Sequence, residues 1–151
     1  MTTVLLMDNV LTSSGGMVSG CEGRLLKKGI RCVTDGGRVT PTGPVILDLD
    51  EMADRLVKLV KKHSVEAVVM DIDWGTTVSF DGFSIWARAI ERGLVLPESR
   101  VVFLTQHRQH TRAHQEVSFL GISPQQIQYK NEQGNDAAAA WIFLQLGIDF
   151  K

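Results

Sequence analysis

A chain of 151 residues with 44% apolar content can bury one sizeable core but would divide poorly into two, so a single domain over 1–151 is expected. Sixteen Lys and Arg nearly balance seventeen Asp and Glu, which excludes a strong overall field drawing the chain to nucleic acid, an anionic membrane or an acidic substrate. The opening MTTVLLMDNV lacks a basic segment and a cleavage site, and no apolar run approaches the roughly 20 residues that span a bilayer, so a soluble cytoplasmic protein is expected.

Taken in chain order, Val4-Leu5-Leu6-Met7 is too short for a helix and too continuously apolar for a strand with one solvated face. It reads as a central strand ending at Asp8. Met17, Cys21 and Leu25 form one stripe of a helix from about Met17 to Lys28, with Gly29 as its left-handed stop. Without a secretion signal, Cys21 and Cys32 read as small buried hydrophobes and not as a redox pair. A second strand follows at about Ile30 to Thr34. The turn-rich DGGRVTPTGP, 35–44, reads as an inserted loop or short hairpin, and Val45 to Leu49 could supply an extra strand. From Asp50 as N-cap, Met52, Leu56, Leu59 and Val60 follow helical spacing, with Lys58, Lys61 and Lys62 outside.

Ala67-Val68-Val69-Met70 is the third strand, ending at Asp71. After a loop, Asp81 caps a helix that turns Phe83, Trp86, Ala89 and Ile90 inward and stops at Gly93. Val101-Val102-Phe103-Leu104 is the clearest strand and runs into Thr105. A polar helix through Val117 and Leu120 is next, then a short strand from Ile127 to Lys130. Asp136 then precedes an alanine-rich helix carrying Trp141, Ile142, Leu144 and Leu146. The alternation predicts an α/β domain, a doubly wound five-stranded parallel sheet with an insertion after strand 2.

Ligands of open parallel sheets bind outside the carboxyl ends of the strands, and four such ends carry Asp8, Asp71, Thr105 and Lys130. In the flavodoxin-like order 2-1-3-4-5 the first and third strands are neighbours, so Asp8 and Asp71 would face each other. Two close carboxylates resist ionising together, a cost that a hard cation such as magnesium removes. Such an ion could also orient a phosphoryl donor toward a carboxylate nucleophile.

LLMDN, VVMDIDW, VVFLTQ and IQYKN, with the Asp81-Gly82 pair, resemble the receiver domains of two-component response regulators over nearly the whole chain. The resemblance implies a non-enzymatic signal-transduction module with Asp71 as phosphoacceptor, Thr105 and Lys130 contacting the phosphoryl oxygens, and magnesium at Asp8, Asn9, Asp71 and Asp73. It further implies a histidine kinase or phosphotransfer protein as donor, a downstream protein partner, and a partner or homodimer surface along the last strand and its two flanking helices. Asn9 stands where the family has a second acid, which lowers metal affinity, while Gln106 and Asn131 stand where it favours a small residue and a proline.

Those departures support an alternative, a pseudo-receiver that binds a partner without phosphorylation. A second alternative rests on Asp71-Ile72-Asp73 and Trp74-Gly75-Thr76, which faintly resemble the first motif of haloacid-dehalogenase-type phosphatases. That motif normally sits on an early strand, and Trp74 interrupts its spacing. His107, His110 and His114 include an i, i+4 pair suited to zinc, but without a third ligand and beside Arg108 and Arg112 they read as a solvated helix face. Trp74, Trp86 and Trp141 read as packing residues, although Trp74 could cover the site.

Overall fold

Three strands are unbroken apolar runs, VLLM, AVVM and VVFL, with no solvated face to spare, whereas the two at the sheet edges, RCVTD and IQY, mix polar and apolar residues. The computed structural model describes residues 2–7, 17–35, 48–72, 80–105 and 121–148. Along the chain lie β1 (Thr3–Met7), α1 (Met17–Lys27), β2 (Arg31–Asp35), α2 (Leu49–His63), β3 (Ala67–Asp71), α3 (Gly82–Glu91), β4 (Val101–Thr105), β5 (Ile127–Tyr129) and α4 (Glu132–Leu146). All pairings are parallel and the order is β2-β1-β3-β4-β5, as the sequence predicts. The expected insertion and the polar helix through Val117 and Leu120 lie outside the described residues.

Successive strand residues point to opposite faces, which divides the core in two. Leu5, Met7, Val68, Met70, Val101 and Phe103 pack under α2 and α3 with Leu56, Ile85 and Trp86. Val4, Leu6, Val69, Val102 and Leu104 pack under α1 and α4 with Cys21, Leu25, Ile142 and Phe143. Cys21 is buried and Cys32 partly so, both free, in agreement with their reading as small hydrophobes. Lys58, Lys61 and Lys62 are exposed on α2, again as expected. Among the described residues no helix is long and apolar enough to cross a membrane.

Helix starts and facings differ from expectation in four places. Asp48, not Asp50, caps α2, its carboxylate accepting from the Asp50 N–H at 2.7 Å, so Leu49 opens a helix instead of closing a strand. Asn131 caps α4, and Asp136 lies inside that helix in an ion pair with Arg24. Ile90 on α3 faces solvent while Ile85 is buried, and on α4 Phe143 is buried and Leu144 exposed. Trp86 is buried in the core, and Trp141 packs against the opposite face while its indole N–H donates to the Ser99 carbonyl at 3.0 Å.

Candidate functional site

Asp71 is the last residue of β3, Thr105 the last of β4, and Lys130 the first after β5. The sheet ladder fixes their relation. Asp71 is paired with Leu104 and Thr105 with Tyr129, and the hydrogen bonding continues past the strand ends. The Ile72 N–H donates to the Leu104 carbonyl at 2.9 Å, and the Lys130 N–H to the Thr105 carbonyl at 2.8 Å. Three polar residues therefore stand at the carboxyl end of the sheet on three adjacent strands, of which β3 borders the β1–β3 switch point where such sheets open a binding crevice.

The decisive contact crosses two strand spacings. Because β4 lies between β3 and β5, about 9.5 Å separates the backbones that carry Asp71 and Lys130. A lysine stem is long enough to bridge that span, and Lys130 Nζ sits 2.7 Å from Asp71 Oδ1. The two side chains are 3% and 0% exposed, and Thr105 is 4% exposed beside them. Removing two such charges from water costs several kcal/mol per ion, a cost that the contact between them helps to offset.

Two glycines press helix starts against the strand ends. Asp81 caps α3, its carboxylate accepting from the Ser84 N–H at 2.9 Å and the Ser84 hydroxyl at 3.1 Å. The next residue, Gly82, lies so close that a Cβ there would stand 2.3 Å from the Asp71 carbonyl oxygen. At the other strand end, Asn131 accepts from the Gly134 N–H at 2.7 Å, and a Cβ on Gly134 would stand 1.7 Å from the Tyr129 carbonyl oxygen. The Asp81-Gly82 pair is legible in the sequence as such a start. Asn131 and Gly134 were missed as a unit, though Asn-x-x-Gly directly after a strand is a signal for a capped, closely docked helix. Gln126 was missed too: it is buried, and its amide nitrogen donates to the Glu98 and Val101 carbonyls at 2.7 and 2.8 Å, tying the approach to β5 onto the start of β4.

Of the residues expected to hold magnesium, Asp71 is described, whereas Asp8, Asn9 and Asp73 lie outside the described residues, as do Trp74, Gln106 and the three histidines. The Met7–Met70 register sets side by side the two strands that lead toward positions 8 and 71. Among the described residues no cluster of three or more His, Cys, Asp or Glu could hold a metal ion.

Solved structures share this arrangement of strands and helices. The RcsB response regulator of Salmonella typhimurium superposes with a TM-score of 0.59 at 16% identity, over 99% of this chain and 62% of its own. An alanine mutant of the receiver domain of the histidine kinase CKI1 from Arabidopsis thaliana gives 0.57 at 14% identity, over 97% of this chain and 89% of its own. The fold is a receiver-domain fold. At these identities the likeness concerns the fold alone, and the chain spans less than two thirds of the length of the RcsB chain. No protein-family model matches the sequence, and no curated protein matches it either. Within a receiver fold, Asp71, Thr105 and Lys130 occupy the ends of the third, fourth and fifth strands, at the expected edge.

Proposed function

We propose that the chain is a signalling receiver that takes a phosphoryl group on Asp71 and thereby switches a protein-interaction surface. The observation that carries this reading is the 2.7 Å contact between Lys130 Nζ and Asp71 Oδ1, with Thr105 on the intervening strand. A carboxylate oxygen of Asp71 attacks the phosphorus of a phosphohistidine donor, the new O–P bond forming as the P–N bond breaks, and the released imidazole recovers its proton from solvent. In this reading Lys130 moves from the carboxylate to a phosphoryl oxygen and balances the added charge, and the Thr105 hydroxyl donates to another. A magnesium ion held by Asp8, Asn9, Asp71 and Asp73 would supply further charge compensation at that oxygen cluster. A histidine kinase or phosphotransfer protein in the cytoplasm is the donor in this reading, and a second protein, or a second copy of the chain, reads the switched surface.

One observation favours a second reading. The Asp71 side chain is 0% exposed, which hinders approach of a donor and suits a pseudo-receiver that binds its partner constitutively. Incubation with magnesium and acetyl phosphate followed by intact-mass measurement separates the two. A phosphoryl adduct that disappears in Asp71→Ala supports the switch. Its absence at every donor concentration removes the switch and leaves the binding module. Rapid turnover of a phosphomonoester, lost in Asp71→Asn, would instead count for a phosphatase.

A further inference from the structure

β5 ends in a turn whose centre is Lys130. The Asn131 N–H donates to the Tyr129 carbonyl at 2.9 Å, and among the described residues Ser64 is the non-glycine with positive φ, so Lys130 takes the inverse γ-turn that often closes a strand. The turn is gripped from both sides. On the strand side the Lys130 N–H donates to the Thr105 carbonyl at 2.8 Å, one step past the pairing of Thr105 with Tyr129. On the helix side Asn131 Oδ1 accepts from the Gly134 N–H at 2.7 Å and the Asn131 carbonyl from the Asn135 N–H at 2.8 Å, so α4 starts with no spacer after the turn. The start of the helix also lies against the turn itself. A Cβ on Gly134 would stand 1.7 Å from the Tyr129 carbonyl oxygen, the acceptor that closes the turn.

From this chain of contacts we propose that Asn131 is a positioning residue for the Asp71 site, its side-chain cap holding the γ-turn that aims the Lys130 stem across β4. Lysine carries a compact charge on a flexible four-carbon stem, so its ammonium is placed no better than the backbone from which it springs. Here the Lys130 side chain is 3% exposed and reaches Asp71 Oδ1 at 2.7 Å from a residue that belongs to neither strand nor helix. Without the Asn131 oxygen the Gly134 N–H loses its acceptor, and the first turn of α4 frays away from Tyr129. The γ-turn is then held from the strand side alone, and the Lys130 stem loses its direction. That Asn131 thereby serves phosphoryl transfer rests on the reading of Asp71 as phosphoacceptor, whereas the aim of Lys130 does not.

The test is acylation of the full chain with acetic anhydride, with modification of Lys130 read by peptide mass against the exposed Lys61 as internal standard. Asp48→Ala, which removes the cap of α2, controls for the general loss of stability on losing a helix cap. Labelling follows local opening, so Asn131→Ala should raise the Lys130 rate about tenfold or more above that of Asp48→Ala. Asn131→Ser, neutral and about as good a cap as asparagine, should bring the rate back to within about twofold of wild type. The same variants are then incubated with magnesium and acetyl phosphate. Phosphorylation should be about tenfold slower in Asn131→Ala and near wild type in Asn131→Ser and Asp48→Ala. The proposal is overturned if Lys130 labels no faster in Asn131→Ala than in Asp48→Ala, if Asn131→Ser labels as Asn131→Ala does, or if Asn131→Ala is phosphorylated as fast as wild type. If no variant forms an adduct, wild type included, while labelling follows the expected order, the reading of Asp71 as phosphoacceptor falls and the positioning of Lys130 by Asn131 stands.

Discussion

Breaking the Lys130–Asp71 pair should be among the most damaging single changes at the site, and the size of the effect can be worked from its geometry. At 2.7 Å, an effective dielectric of about 20 gives an attraction of roughly 6 kcal/mol, which the desolvation of both groups largely offsets. The net value of the pair is therefore small. The penalty for removing one member is not, because the other stays buried with this counter-charge gone, at about 3–5 kcal/mol. Lys130→Met and Asp71→Leu should each lose that much in urea denaturation at neutral pH, while the double variant should lose much less than their sum. A coupling of at least ~2 kcal/mol is expected from the cycle. A coupling under ~0.5 kcal/mol, or a Lys130→Met variant as stable as wild type, would refute the claim that the two charges depend on each other.

Gly134→Ala should cost at least ~3 kcal/mol or prevent folding, since its Cβ would meet the Tyr129 carbonyl at 1.7 Å and only backbone movement can relieve that; thermal denaturation reads the result. Asn131→Ala should cost ~1 kcal/mol through the lost cap, and Asn131→Pro more, because it also removes the N–H that donates to Tyr129 at 2.9 Å. Burial pushes the Cys21 thiol up to about 12 and the Cys32 thiol up to about 11, both above the ordinary 9.0. Their folded-state values are raised, so this stability is complete below pH 9 and is lost as pH climbs toward 11–12, with a slope of up to ~1.4 kcal/mol per pH unit for buried Cys21 and less for the half-buried, solvent-screened Cys32. Denaturation at pH 8 and pH 10.5 should show a shallower decline in Cys21→Ala than in wild type, and native Cys21 should resist thiol reagents at pH 8.

The central strands were legible because uninterrupted apolar runs such as Val101 to Leu104 have few other ways to hide, and Asp71 and Thr105 were legible because they end such runs, whereas Lys130 follows the mixed Ile127-Gln128-Tyr129. Their meeting was not: which strand-end side chains touch depends on strand order and on the reach of one lysine across β4. Helix starts were ambiguous where candidate caps lie close together. Asp48 and Asp50 are equally good acceptors in sequence, and the extended backbone of Asp48, φ −105° and ψ 135°, decides between them. The facing of α4 was obscured by its four successive alanines, which mark no stripe. Phe143 and Leu144 lie about 100° apart around the helix, and packing against α1 and the sheet selects Phe143.

The sheet that separates the two apolar clusters also separates the consequences of changing them. Leu56 on the inner face of α2 and Leu25 on that of α1 lie in different clusters on opposite sides of the strands. Substitutions at such positions are far enough apart for their costs to add to within about 0.5 kcal/mol. Costs that add draw on the single stability margin of the domain, so a loss on the side of α1 and α4 lowers what the side of α2 and α3 can tolerate even though the two never touch.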